Sequence, residues 1–207
     1  MSRAASRKNP TRIQRAKTEA ILDAALDVFS THGFRGATLD QLADAAGLSK
    51  PNLLYYFASK DEVHRTLLER LLDAWLDPLR QIDPDGDPQA EIRAYVLRKL
   101  EMARDLPRES RLFANEVLRG APHIADALAG PLRALVDEKA EAISAWARAG
   151  RIAPVDPHHL IFSIWAATQH YADFDVQVVA VLGRDDQGRF RDAARYLDHV
   201  FTRALQP

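Results

Sequence analysis

Residues 49–60, SKPNLLYYFASK, crowd lysine, asparagine and tyrosine side chains onto one short segment. Asn52 carries a donor and an acceptor and can pair two-pronged with an adenine edge, while Lys50 can reach a guanine or a phosphate. Pro51 can touch a thymine methyl, Tyr56 shares the outer face with Lys50 and Asn52, and Lys60 is placed to flank a phosphate backbone. Leu53 and Phe57, four residues apart, are expected to face inward. Thr38 and Ser49 open helices, where a hydroxyl and unpaired backbone amides suit a phosphate oxygen. Thr38, like Ser59 further on, is a capping residue whether or not it also touches phosphate.

A second constellation lies far down the chain. Trp165, Gln169 and Asp173 recur every four residues, so on a helix an aromatic, an amide and a carboxylate share one strip. A planar heterocycle with alternating N–H donors and carbonyl acceptors needs a surface to stack on and an amide to pair with. Thr168 sits in the adjacent apolar band, and Trp75, Phe113 and Asn115 are further lining candidates from other helices. From the residues alone, a core tryptophan beside surface polar groups is the better explanation of the strip. Tyr171, Phe174 and Val178, with Tyr196, Val200 and Phe201, have the aromatic and aliphatic content of a subunit interface or of an internal core.

Catalysis finds little support. The sequence has no Gly-rich phosphate loop, no cysteine and no serine in a nucleophile-elbow motif. Asp156, His158, His159, His170 and Asp173 are potential metal ligands, but adjacent histidines point to different helix faces. Asp156, before Pro157, reads as an N-cap. Neither a metal nor a cofactor is expected.

The elements that must position these residues are helices. Thr38 with Gln41 makes a capping box, and Gly47 stops that helix in the left-handed conformation a C-cap favours. Ser49 caps the next helix with Pro51 in its first turn, and Ser59 with Glu62 caps a third. Three starts and one stop within this stretch predict a helix-turn-helix, whose second helix enters the DNA major groove. Ahead of it, Ile21, Leu22, Ala25, Val28 and Phe29 predict an amphipathic helix from Ile13 that ends at Gly33. Behind it, helices are expected at 60–82, where Pro78 bends or ends the helix, and at 89–105, 108–119, 122–148, 157–182 and 189–205. Gly130-Pro131 predicts a break or kink within 122–148. No segment sustains two-residue alternation, so the fold is expected to be all-α. The predicted organisation is a flexible basic arm at 1–12, a three-helix head at 13–58 and an antiparallel helical ligand-binding and dimerisation bundle at 59–207.

Charge agrees with this division. The chain of 207 residues has a net charge of −1, yet residues 1–65 hold ten Lys/Arg against seven Asp/Glu, and the remainder eighteen against twenty-two. A basic head on an acidic body has the sign expected of a nucleic-acid binder. With 47% hydrophobic residues, no cysteine, no apolar signal core and no membrane-length apolar run, a cytoplasmic location is expected.

AILDAALDVFSTHGFRGATLDQLADAAGLSK, followed by Leu53, Tyr55, Phe57, Ser59 and Lys60, resembles the DNA-binding head of TetR-family transcriptional regulators. That resemblance implies that Tyr55 contacts the phosphate backbone, that two heads read a palindromic operator as a homodimer, and that the last two helices form the dimer face. Pro51, Asn52, Leu54 and Tyr56 depart from the family's frequent residues on the recognition helix, so the operator sequence is not implied. Within the family, NLLYYFASK, DAWLDPL, SRLF, DEK and DPHHLIFSIWAATQHYADF look like the regulators of pyrimidine utilisation. This implies release from DNA by uracil or thymine and control of pyrimidine catabolism. The alternative is a repressor of the same type sensing a drug, a fatty acid or an acyl-thioester.

Overall fold

The computed structural model describes residues 11–184 and 188–207, and among these every regular element is helical. The basic arm, apart from Thr11 and Arg12, lies outside the described residues. Thr11 instead caps the first helix, α1 (Arg12–Gly36), through a capping box with Gln14. Helical geometry breaks at Gly33, whose φ of +66° favours a residue without Cβ. The helix-turn-helix follows as α2 (Leu39–Ala45) and α3 (Lys50–Tyr56), and then α4 (Lys60–Arg80). Thr38 and Gln41 form the reciprocal capping box that the sequence predicts. At α4, Ser59 accepts from the Glu62 amide, while the Glu62 carboxylate reaches back to the Ala58 amide rather than to the cap itself.

The chain forms two compact units that divide at Leu68/Glu69, inside α4. The sequence boundary at 58/59 marks the start of that helix instead. In the first unit, Ile21, Leu22, Ala25, Leu26, Val28 and Phe29 of α1 are buried together with Leu42, Leu53, Phe57, Val63 and Leu67. Each large aliphatic side chain contributes about 1.5–3 kcal/mol by leaving water.

The second unit comprises the end of α4 and α5 (Pro88–Asp105), α6 (Pro107–Leu118), α7 (Ala125–Ala127), a π-helical turn (Leu128–Leu132), α8 (Arg133–Arg148), α9 (Pro157–Asp173), α10 (Asp175–Leu182) and α11 (Gly188–Ala204). Its core gathers Leu79, Ile92, Val96, Leu100, Ile143, Trp146, Ile161, Ile164, Leu197 and Phe201. α5 packs against both α9 and α11, and α6 and α8 flank α9. The Trp146 indole donates to Pro84 O at 2.7 Å and Lys139 to Ile82 O at 3.2 Å, tying the loop after α4 to α8.

Two predicted helices differ, and a third breaks as expected. Pro78 neither ends nor breaks α4, which continues to Arg80. Gly130-Pro131 gives the expected break, a π-helical turn between α7 and α8. The single helix expected at 157–182 is two, parted at Phe174 (φ −114°, ψ 29°), where α9 stops and α10 starts.

Candidate functional sites in the head and body

In the head, Leu53 and Phe57 are buried and anchor α3, leaving Lys50, Pro51, Asn52, Leu54 and Tyr55 exposed along it. Tyr55 is 72% exposed, and its ring meets that of the half-buried Tyr56 edge-on at 5.2 Å. Ser49 Oγ accepts from the Asn52 amide at 3.4 Å. Thr38 Oγ1 both accepts from Gln41 N and donates to Gln41 Oε1, so its hydroxyl is committed to the cap. Lys50 Nζ is paired with Asp40 Oδ2 at 3.0 Å, with both groups open to solvent.

Lys60 departs from expectation. Its ammonium donates to Phe34 O and Ala37 O, both at 2.8 Å, and lies over the Phe34 ring at 4.6 Å. These carbonyls follow the break at Gly33, and a cation satisfies them as a C-terminal cap would. Its spacing from the α3 lysine suggests a phosphate contact, but the side chain turns inward to hold the α1–α2 junction.

In the second unit, α4, α5, α6, the π-helical turn and α9 enclose a cavity of about 510 Å3. That is within the roughly 300–1,000 Å3 of small-molecule sites. Trp75, Phe113, Asn115, Trp165, Gln169 and Asp173 all line it, so the four-residue strip on α9 faces inward as one edge of the cavity. Leu72, Leu76, Leu118, Leu128 and Leu132 add an apolar wall. The inner surface is buried (Leu72, Trp75, Leu76, Lys99), whereas Arg111, Asn115, Val117, Leu118 and Phe174 stand exposed at the rim.

The polar groups are held in place. Trp165 Nε1 donates to the buried Tyr95 hydroxyl at 2.6 Å, which fixes the indole plane. Burial pushes the Tyr95 phenol upward, so it stays protonated. Ser110 Oγ donates to Asp173 Oδ1 at 2.6 Å, and Arg111 donates to Ala172 O at 3.2 Å. Burial raises the Asp173 carboxyl above its ordinary range, against the hydrogen bond from Ser110 and the charges of Arg111, His170 and Lys99. Lys99 is 2% exposed; its ammonium donates to Trp75 O at 3.4 Å and sits 5.2 Å from the centre of the Trp75 ring. Burial lowers its pKa to about 7, opposed by the Asp173 charge.

Four residues escape the sequence reading: Tyr95, Lys99, Ser110 and Arg111. Lys99 did leave a signal, since it interrupts the apolar stripe Ile92, Tyr95, Val96, Leu100, Ala103 of α5. Thr168, expected in the cavity, is not part of its lining. It is fully buried and its hydroxyl donates to Ile164 O at 2.7 Å, the local bond that a threonine makes inside a helix. Of the expected interface residues, Val178 and Phe201 are buried within the chain, Phe201 in the core beside Leu197 and Phe190. Tyr171 is half-buried against Phe190, and Val200 is half-buried. Phe174 (55% exposed) and Tyr196 (64% exposed) do offer apolar surface. Phe174 also lines the cavity and stacks on His170 with centroids 5.1 Å apart. No helix among the described residues is long and apolar enough to cross a membrane.

Residues 68–207 match the family model described as YcdC-like protein, C-terminal region, and residues 21–66 that of bacterial regulatory proteins, tetR family. The chain is 48% identical over 194 residues to the HTH-type transcriptional regulator RutR of Escherichia coli K12, covering 93% of this chain and 92% of that one. Among solved structures it is similar to the fatty acid degradation regulator FadR from Bacillus halodurans (TM-score 0.64, 22% identity, 92% and 96% of the two chains). It is also similar to AibR in complex with isovaleryl coenzyme A and operator DNA (TM-score 0.63, 19% identity, 89% and 97%). At these identities the structural likeness speaks for the fold alone.

Proposed function

The chain belongs to the TetR family of transcriptional regulators, a family of DNA-binding regulators and not of enzymes, and we propose that it holds a palindromic operator as a cytoplasmic homodimer until uracil or thymine releases it. The observation that carries the effector assignment is the cavity: two tryptophans, Trp75 and Trp165, supply stacking surface, and Gln169, Asp173 and Asn115 supply donors and acceptors for a ring edge. The 48% identity to a RutR protein over nearly the whole chain supports the same reading.

On DNA, the exposed Lys50, Pro51, Asn52 and Tyr55 with the half-buried Tyr56 are the reading face, and the first-turn amides that follow Thr38 and Ser49 lie toward phosphates. Lys60 serves the head by bracing it. Dimerisation uses the exposed apolar surface of the last helices, centred on Phe174 and Tyr196, with Tyr171 and Val200 at its edges. Helix α4 begins at Lys60, a few residues after the recognition helix, and carries Trp75 in the cavity wall. A ligand pressing on Trp75 tilts α4 and favours a head spacing that mismatches the operator. A coupling of about 1–3 kcal/mol gives a 5–150-fold loss of affinity.

The leucine wall favours a second reading, an effector with an acyl tail. Thermal-shift measurements with uracil, thymine and a panel of acyl-thioesters separate the two, and a gel-shift titration tests the response. Stabilisation by a pyrimidine base with release of operator DNA is expected. Stabilisation by acyl-thioesters alone, or operator binding indifferent to pyrimidines, refutes the effector assignment.

A further inference from the structure

Of the side chains that line the cavity, Lys99 is charged and also buried, which costs free energy unless something repays it. The other buried lysine, Lys139, is paired with Glu138 at 3.1 Å. Among the described residues no carboxylate lies within ion-pair distance of Lys99 (4.0 Å); Asp173 acts on it from further away and is itself held by Ser110. A lysine head carries three N–H donors and, when charged, no acceptor. The contact to Trp75 O occupies one, and at 3.4 Å it is long. Below about pH 7, where the head keeps its proton, the cavity therefore presents a donor-only group with no carboxylate paired to it.

We propose that Lys99 selects the effector by donating to an oxygen on its ring edge, so that the cavity takes oxo-substituted heterocycles and rejects counterparts with an amino group at that position. The proposal rests on the reading that a ring ligand occupies this cavity. A carbonyl oxygen supplies the acceptor that the protein leaves out, while an exocyclic amine would set donor against donor. Charged groups that act on Lys99 or on Asp173 are Asp173 and His170 of α9 and Arg111 of α6; the α4 residues in the lining, Leu72, Trp75 and Leu76, carry none. A bound oxygen favours the charged head, so binding raises its proton affinity. With the free group titrating near 7, oxo-ligand binding at pH 8 takes up a proton.

The test is calorimetry on the full-length protein with uracil and cytosine, at pH 6.5 and, in buffers of different ionisation enthalpy, at pH 8. Wild type is expected to bind uracil about 10- to 100-fold more tightly than cytosine at pH 6.5, the range of a charged hydrogen bond. Lys99→Met is expected to lose most of that ratio, and proton uptake approaching about one per site should vanish with it. Lys99→Gln, whose amide can donate or accept, should bring the two bases within about 3-fold of each other. If wild type binds the bases equally, or if Lys99→Met weakens both and leaves ratio and proton uptake intact, the proposal is overturned while the effector assignment stands. If neither base binds wild type, the ring-ligand reading and the proposal fall together.

Discussion

Lys99→Met is expected to make the protein more stable, by an amount that shrinks as pH rises. Burial lowers the Lys99 pKa from 10.5 to about 7. At 1.36 kcal/mol per unit, that shift sets a ceiling of about 5 kcal/mol on the cost of charging the side chain in the fold. Loss of the long hydrogen bond to Trp75 O and of the contact with the Trp75 ring subtracts about 1–2 kcal/mol. Methionine is unbranched and of similar length, so it fills the same space. The net gain at pH 6 is therefore at most about 3–4 kcal/mol. The sign follows from proton counting. Between pH 7 and about 10 the unfolded lysine keeps its proton while the folded one has shed it, so wild type gains stability at about 1.4 kcal/mol per unit. The Lys99→Met variant lacks this gain, and the difference between the two closes across that window. Urea unfolding of both proteins at pH 6, 7, 8 and 9 measures it. A difference that does not change with pH, or a variant less stable at pH 6, would refute the reasoning.

Other substitutions probe the head and the surface. Asp40→Asn frees Lys50 from its 3.0 Å partner and removes a negative charge near the reading face; operator affinity by gel shift is expected to rise a few-fold, on the order of 1 kcal/mol or less for an exposed pair. Lys50→Ala should cost operator affinity and lower the slope of affinity against salt by about one phosphate contact. Leu53→Ala, at a site with no exposure, is expected to cost about 2–5 kcal/mol in denaturant unfolding. Tyr196→Asp should shift the protein toward monomer in analytical ultracentrifugation without lowering the unfolding cooperativity of the monomer, since its side chain is largely in solvent.

The head was legible because its signals are local. Thr38–Gln41, Ser49 and Ser59 announce themselves within a turn of the helices they cap, and the spacing of Leu53 and Phe57 gives the buried side of α3. On the α9 strip, four-residue spacing aligned Trp165, Gln169 and Asp173, but only the packing of α4, α5 and α6 decides that this edge meets a cavity. Thr168 is one residue from that edge and points the other way, a distinction of about 100° on a helix. Lys60 eluded the pattern because its partners, Phe34 O and Ala37 O, are backbone groups exposed by a turn more than twenty residues away. Val178 and Phe201 have the composition of an interface, and composition does not tell a surface between chains from a core within one.

The break at Phe174 ties the polar end of the cavity to the path of the backbone. An unbroken helix would have passed the carbonyls near Asp173 on to the next turn. Because α9 stops, Ala172 O is left for Arg111, and Asp173 sits in a last turn where the helix dipole is negative. Burial raises the carboxyl, and a negative helix end adds to the cost of ionising it, so the side chain is held by Ser110 and seeks further donors. Lys99, also in the lining, has the opposite need, an acceptor. A ring edge that places an N–H toward Asp173 and a carbonyl toward Lys99 meets both, and that alternation is the edge of a cyclic imide. An acyl tail meets neither, although it would suit the leucine wall. Removing Lys99 alone should therefore weaken a pyrimidine base and leave the binding of an acyl-thioester unchanged, and an equal loss of both in parallel titrations would contradict this assignment of the two ends.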